Sequence, residues 1–383
     1  VTGRLGVGVI GSGVISTEYL DNLTRFPSLD VAFVADLDVD RARAQAEKYG
    51  IRYAGTTAEL LSSAEVDIVV NLTTPAAHVE VGLQALAAGK HVWSEKPLAL
   101  NREGAARLLR AADAGGLRIA SAPDTFLGAG LQTARGLVDS GVIGRPLTGL
   151  TLFQTPGPES WHPSPEFLYA TGGGPMWDVG PYYLYTLFQQ FGPVARVSAT
   201  ASKAHERRVI ASGPRAGTEF TVEVPTHIGA TLWFHGGASA QSIFSFESQR
   251  RRVGFVEISG TEGTLVYPDP NTFTGDVQIW RSGSDEPDVI PTPAARFTRG
   301  TGVAELAQAI AEGRPERANG ELAYHLVDVL SALDEAAQTG RIVQVESTFA
   351  PIPLLPDGWE PSAPIPPLEH AVTGVSRSTA AIQ

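Results

Sequence analysis

A glycine-rich turn between an apolar strand and a helix limits this chain's fold more than any other feature. Leu5 to Ile10 form a short apolar run interrupted only by small glycines, and Gly11-Ser12-Gly13-Val14-Ile15-Ser16 follows at once. Ile15, Tyr19, Leu23 and Phe26 then recur at helical spacing. The turn is G-x-G-x-x-G with serine at the third glycine position. Gly11 permits the tight bend, and Gly13 lets a ligand approach the backbone closely. A pyrophosphate would rest at the helix amino terminus, where unpaired N–H groups and the dipole favour negative charge. Gly11, Ser12, Gly13, Val14 and Ile15 are therefore expected to face a dinucleotide.

The next strand, Val31 to Ala35, ends in Asp36, where a carboxylate can accept from both hydroxyls of an adenosine ribose. Leu37 stands beside it. Asp38 adds negative charge that would repel a 2′-phosphate, so NAD is favoured. Arg41 on the following helix could bind that phosphate, which leaves NADP as the alternative. Asp38 itself is expected to cap the helix Val39 to Tyr49, which stops at Gly50. Asp67 to Leu72 is a further strand, leading into Thr73-Thr74-Pro75, a polar turn suited to the nicotinamide side. The helix Ala76 to Ala88 carries His78 in its first turn. His78 is expected near the cofactor, although a histidine there is more often a surface or capping residue than a catalyst.

The stretch KHVWSEKPLAL, Lys90 to Leu100, comes next. A strand His91-Val92-Trp93 ending in Glu95-Lys96-Pro97 delivers its charges at the carboxyl end of a sheet, where open α/β sheets bind ligands. Pro97 stops the strand and fixes the chain behind the lysine. The bland alternative is a solvated Glu-Lys pair. A helix from Asn101 to Ala114 and a strand from Arg118 to Ala122 complete an alternation that implies a doubly wound parallel sheet over residues 1–123.

Composition excludes several classes. At 383 residues, 43% hydrophobic and 18% charged, the chain can bury a large core and fits two domains. No run approaches the roughly 20 apolar residues of a membrane span, and the start shows no secretory pattern. With no cysteine, disulfides, thiolate metal sites and a cysteine nucleophile are all ruled out. The net charge of -12 argues against nucleic acid and anionic membranes. A cytoplasmic enzyme without a metal is the expectation.

After Ala122 the character changes. A helix Leu127 to Val138 and a strand Leu147 to Thr155 lead into an aromatic, proline-rich loop holding Trp161 and His162. Met176 to Phe191 reads as a helix, and Pro181 should fall in its first turn because proline breaks a helix interior. Asp178 and Tyr182 are four apart and share one face. From Val194 to Trp280, closely spaced strands such as Thr218 to Val224, Ala230 to Phe234, Gln241 to Glu247, Val253 to Ser259 and Thr264 to Tyr267 imply an antiparallel sheet. Helices return at Val303 to Glu312 and Glu321 to Gln338. The α+β second domain is therefore placed at 124–345, with its last helix able to pack back on the first domain. A proline-rich tail at 346–383 should wrap the surface or a neighbouring subunit.

GVGVIGSGVIS, VADLD, TTPAAHVEVGLQALAAGKHVWSEKPLAL, GGGPMWDVGPYYL and the later GTEGTL together resemble the glucose–fructose oxidoreductase, inositol dehydrogenase and rhizopine-catabolism family, Gfo/Idh/MocA. The resemblance covers residues 5 to about 345. It implies a Rossmann domain followed by an open antiparallel sheet used for substrate and for homodimer or homotetramer contacts. It also implies NAD(P)-dependent oxidation or reduction of a secondary alcohol on a sugar or cyclitol. Lys96 matches the family's catalytic lysine, and Asp178 its aspartate. The family usually has histidine four residues after that aspartate, where this chain has Tyr182.

That departure leaves two candidates for the proton-transfer group. Tyr182 would need a cation to stabilise its phenolate, and Lys96 is expected to lower its pKa. His162 is the competing base, since unperturbed histidine titrates near pH 6.5. The bland reading of Tyr182 is a core aromatic beside Tyr183 and Tyr185. Lys96 would hold the reacting oxygen and Asp178 would orient substrate hydroxyls. Trp161 would offer a face to a sugar ring, and Asp124 would bind a hydroxyl. Two alternatives to a dehydrogenase remain: a glycosidase that oxidises its sugar transiently, and a non-enzymatic NAD-binding regulator, against which the intact Glu95-Lys96-Pro97 argues.

Overall fold

The computed structural model describes residues 3–365. Strand and helix alternate in the first part: β1 (Leu5–Ile10), α1 (Val14–Leu23), β2 (Leu29–Ala35), α2 (Val39–Tyr49), β3 (Tyr53–Gly55), α3 (Thr57–Ser62), β4 (Ile68–Asn71), α4 (His78–Ala87), β5 (His91–Ser94), α5 (Arg102–Gly115) and β6 (Ile119–Ser121). All six strands pair in parallel, in the order β3-β2-β1-β4-β5-β6. The order reverses between β1 and β4, which opens a crevice at the strands' carboxyl ends. β1 is buried along its whole length, as a strand covered on both faces must be. The local signals for the helices act as expected. Asp38 caps α2, with its side chain accepting from the Arg41 amide, and Asn101 caps α5.

The second part follows with α6 (Ala129–Asp139), β7 (Pro146–Gln154), α7 (Gly174–Phe191), β8 (Val194–Ser202), β9 (Arg207–Val209), β10 (Glu219–Thr221), β11 (His227–Phe234), β12 (Ser239–Ser245), β13 (Arg252–Gly260), β14 (Gly263–Val266), β15 (Val277–Arg281), β16 (Asp288–Ile290), α8 (Thr301–Glu312), α9 (Gly320–Thr339) and β17 (Val343–Gln344). Nine of these strands form one sheet, in the order β16-β15-β14-β13-β7-β12-β11-β8-β17. It is antiparallel except between β7 and β12, which pair in parallel because the chain returns to the sheet's middle after a long excursion. β10 is shorter than its apolar pattern predicts and leaves the sheet, pairing only with β9 in a separate ribbon.

Pro181 is a correction. α7 begins at Gly174, so the proline is its eighth residue and lies inside the helix. Proline has no amide to offer the carbonyl of Trp177 four residues earlier. The surroundings compensate: Pro181 is buried among core residues of α7, and the Trp177 indole donates to Asp334 of α9 at 2.7 Å. Packing of this face overrides local propensity.

The helices that end the second part return to the first sheet. Ser121 of β6 donates to the Ala318 carbonyl at 3.0 Å, and α8 lies against α1. The described tail stays with its own chain: Trp359 donates to Gln308 of α8 at 2.6 Å, and Ile365 bridges Gly3. The part of the expected tail beyond residue 365 lies outside the described residues. Among the described residues no helix is long and apolar enough to cross a membrane.

Candidate active site

The cofactor crevice is built by the turn after β1. Gly11 has φ +104°, and a Cβ there would stand 2.7 Å from the Leu72 carbonyl oxygen, so only glycine lets β1 turn against the end of β4. At Gly13 a Cβ would meet nothing within 4 Å, and no side chain caps α1. The amino terminus of α1 is therefore open to an anion. Ile15, on the first turn of α1, is half-buried, and the Ser12 hydroxyl is buried without a partner. Val14 and Leu37 are 90% and 100% exposed, an apolar pair flanking the turn that is suited to an adenosine. One Asp36 oxygen accepts from the Ser12 amide at 2.6 Å, and the other from the Asp38 amide at 2.9 Å and Arg41 at 2.7 Å. Burial pushes the Asp36 carboxyl up, but these hydrogen bonds outweigh it and hold the group below its ordinary value. These residues fit a dinucleotide.

On the other side of the crevice, Asn71 at the end of β4 organises the Thr73-Thr74-Pro75 turn. Its carbonyl oxygen accepts from the Thr73 hydroxyl at 2.7 Å and its amide donates to the His78 carbonyl at 3.1 Å. Thr74 is exposed and Pro75 half-buried. His78 departs from the surface or capping role expected of it. It is 1% exposed, with Nδ1 2.7 Å from the Pro97 carbonyl and Nε2 3.0 Å from that of Thr73. It ties the Thr73 turn to the Glu95-Lys96-Pro97 turn, which turns its ring away from any ligand. Burial lowers its pKa.

The charged pair is not a solvated loop. Glu95 accepts from the Tyr19 hydroxyl at 2.8 Å and from the Lys96 amide at 3.0 Å. Lys96, 13% exposed, reaches across to α7 and donates to the Asp178 carbonyl at 2.5 Å and its carboxylate at 2.8 Å. Burial opposes the ammonium, but Asp178, then Tyr182 and Glu95, outweigh it and hold the pKa above its ordinary value. Lys96 therefore stays charged.

Tyr182 is half-buried between two cations. The Lys96 ammonium lies 5.3 Å from its ring centroid and the Arg299 guanidinium 5.2 Å. Arg299 also donates to the Tyr182 hydroxyl at 3.3 Å. Lys96 acts on this phenol's pKa in the expected direction, but burial outweighs it. Burial raises it most; Lys96 and Arg299 lower it, Glu95 and Asp178 raise it, and the net direction is upward. Tyr182 is a neutral phenol at neutral pH.

Asp124 is a second correction. It is fully buried, and one oxygen accepts from the amides of Gly300 and Gly302 at 2.9 and 3.1 Å. The other faces Arg299 at 3.7 Å. This carboxylate fastens the start of α8 and, fully buried, does not reach the cavity that could take a substrate.

A cavity of about 330 Å³ opens beside the cluster, lined by Trp161, Asp178, Tyr183, Asp269 and Asn271 among others. Trp161, 62% exposed, is at its rim. His162 is not part of the lining. Its Nδ1 accepts from the Ser164 amide at 3.0 Å, and its ring stacks edge-on between Trp161 and Phe167. Among the described residues no hydrogen bond joins it to Lys96, Asp178 or Tyr182. A larger cavity, about 520 Å³, lies between α6 and tail residues 354–361 and holds none of these groups.

Arg299 and Asn271, whose side chains meet at 2.6 Å, escaped the sequence reading. Both stand in segments without strand or helix period, and nothing local ties them to Tyr182.

A parallel sheet with an open crevice at its switch point, and a charged lysine facing a second domain across it, defines a dinucleotide-dependent oxidoreductase architecture. Residues 5–122 match the oxidoreductase family with an NAD-binding Rossmann fold, and residues 131–266 match the GFO/IDH/MocA C-terminal domain. The chain belongs to the Gfo/Idh/MocA family of oxidoreductases. A 1,5-anhydro-D-fructose reductase of Ensifer adhaerens is 27% identical over 350 residues, 89% of this chain and 98% of that protein. Inositol 2-dehydrogenase 3 of Saccharopolyspora erythraea is 37% identical over 161 residues, which is 41% of this chain and 47% of that relative, about half its length. Among solved structures, an NAD-binding oxidoreductase from Klebsiella pneumoniae superposes with TM-score 0.77 at 26% identity, over 89% of this chain and 99% of that one.

Proposed function

We propose that this protein interconverts a secondary alcohol and a ketone on a sugar, sugar derivative or cyclitol, with NAD(H) as its preferred cofactor. The observation that carries this reading is the Lys96–Asp178 pair, which joins the end of a Rossmann strand to the cavity of the second domain beside the Tyr182 phenol. The relatives named as an anhydrofructose reductase and an inositol dehydrogenase support that substrate class.

Gly11 through Ile15, Asp36 and Leu37 would hold the pyrophosphate and adenosine, and the Thr73-Thr74-Pro75 and Glu95-Lys96-Pro97 turns would flank the nicotinamide. When bound, the nicotinamide supplies or accepts a hydride at the carbinol carbon. Lys96 places a fixed positive charge where the substrate oxygen gains negative charge, an electrostatic stabilisation that needs no reorganisation. Asp178 sets the direction of that ammonium and exposes about a third of its side chain for hydroxyl groups. Tyr182, protonated at neutral pH, is the proton donor in the reductive direction. Trp161 presents an apolar face to a sugar ring.

Asp36, with Asp38 beside it, favours the free ribose hydroxyls of NAD over a 2′-phosphate. The expected homodimer or homotetramer would form through the open face of the nine-stranded sheet. Cofactor absorbance followed across a panel of polyols with NAD and of keto-sugars with NADH tests the reading. Turnover of at least one pair in both directions is expected. A panel without turnover, despite measured NADH binding, would overturn it.

A further inference from the structure

The Tyr182 hydroxyl has one proton and lone pairs to accept with, and what surrounds it decides where that proton points. Arg299 has only donors. One Nη2 hydrogen goes to the Asn271 carbonyl oxygen at 2.6 Å and the other to the Tyr182 oxygen at 3.3 Å. Among the described residues no acceptor takes the Tyr182 proton.

Arg299 is itself fixed. It is 11% exposed, its charge faces Asp124 at 3.7 Å, and its ring contacts include Phe273 at 5.5 Å. Asn22 of α1 holds the Arg299 carbonyl at 2.9 Å, and Gly300, at φ +98°, turns the chain into α8. A guanidinium anchored this firmly on the first domain and α8 is delivered against one hydroxyl of α7.

We propose that Arg299 is a positioning residue for proton transfer: by donating to the Tyr182 oxygen it turns that hydroxyl's own proton towards the substrate oxygen. This rests on the reading of Tyr182 as the proton donor. In reduction the phenol O–H breaks and a new O–H forms on the substrate oxygen as hydride adds to the carbonyl carbon. The phenolate left behind sits between Lys96 and Arg299 and regains its proton from water. The charged groups facing it are Lys96, Arg299, Glu95 and Asp178. Two of these four are cations beside the ring, so removing Arg299 takes away one of the two charges that oppose burial.

The test is a double-mutant cycle with a spectroscopic readout. Arg299→Met is expected to lower kcat for reduction on the order of 10- to 100-fold with little change in KM, because the contact acts on the transferred proton. Arg299→Lys keeps the charge and should recover part of the loss. In a Tyr182→Phe background, Arg299→Met should cost almost nothing further. Titrating tyrosinate absorbance in the cofactor-free protein, with Tyr182→Phe subtracted to isolate one of nine tyrosines, should show the Tyr182 step moving to higher pH in Arg299→Met. Melting curves of each variant report lost stability separately from the kinetic and spectroscopic readouts.

An equal loss from Arg299→Met with and without the Tyr182 hydroxyl would overturn the inference, as would an unmoved titration. Native turnover by Tyr182→Phe would instead remove the proton-donor reading on which it rests. An inactive Tyr182→Phe beside a native-like Arg299→Met would sink the Arg299 role alone.

Discussion

Lys96→Met separates chemistry from structure most sharply. The substitution keeps an unbranched chain of similar length and removes only the ammonium. Three interactions go with it: two hydrogen bonds to Asp178, at 2.5 and 2.8 Å, and the cation facing Tyr182 at 5.3 Å. Breaking a fully buried ion pair costs about 3–5 kcal/mol, because the remaining charge is stranded. Asp178 is 32% exposed and water can reach it, so the stability loss should be nearer 1–2 kcal/mol. That is a shift of a few degrees in Tm for a chain of this size.

The loss in the transition state is larger. A preorganised donor aimed at a developing oxyanion contributes about 2.7–4 kcal/mol, or 100- to 1,000-fold in kcat. Steady-state turnover, a melting curve and NADH fluorescence titration should be measured on the same preparation. The expected pattern is a kcat loss of that size, a small Tm shift and nearly unchanged NADH affinity. Turnover within tenfold of the native protein would refute the assignment. A collapse in Tm with proportionate loss of activity would mean that the lysine only holds the domains together.

Other outcomes follow from the same geometry. Asp36→Ala should narrow or reverse the preference for NAD over NADP, read as the ratio of kcat/KM values, because it removes the ribose acceptor and frees Arg41 for a phosphate. His78→Leu removes the single N–H that the neutral ring can donate to the Pro97 or the Thr73 carbonyl, at about 1–3 kcal/mol, and should weaken NADH binding through the two turns it joins. Unchanged cofactor affinity would limit His78 to stability. Asp328, 2% exposed, would be pushed up by burial, but hydrogen bonds from Arg102 and Ser347 hold its pKa below the ordinary value. Its contribution is therefore complete above about pH 4 and is lost as pH falls through the depressed value. Asp328→Asn should lower stability near neutrality by about 1–3 kcal/mol and flatten the acid limb of a Tm-against-pH curve.

The first sheet was legible because its signals are local. β1, the Gly11 turn and α1 are specified within twenty residues, and Asp38 and Asn101 cap the helices they immediately precede. The second sheet was legible as a class but not in its pairing, since the parallel join of β7 to β12 spans some ninety residues and leaves no mark in either strand. Pro181 misled for the opposite reason. Its local meaning was clear, but a buried helix face packed on the sheet is worth more than the one backbone hydrogen bond that proline forfeits.

The same distinction divides the site. Lys96 and Asp178 stand in patterned segments, a strand end and a helix start, and the structure brings them together. Asp124 looked available because it follows the last strand of the first sheet. What occupies it are the amides of Gly300 and Gly302, some 176 residues on. Arg299 lies 117 residues beyond the tyrosine it touches, in a stretch whose only local feature is the glycine that turns it into α8. Long, charged side chains such as arginine act at the end of several rotatable bonds, so the backbone pattern around them says little about where the charge goes. Under the proposal that Tyr182 transfers the proton, that transfer depends on such a charge. A phenol raised by burial needs cations from outside its own helix, and Lys96 and Arg299 come to it from the first sheet and from the approach to α8.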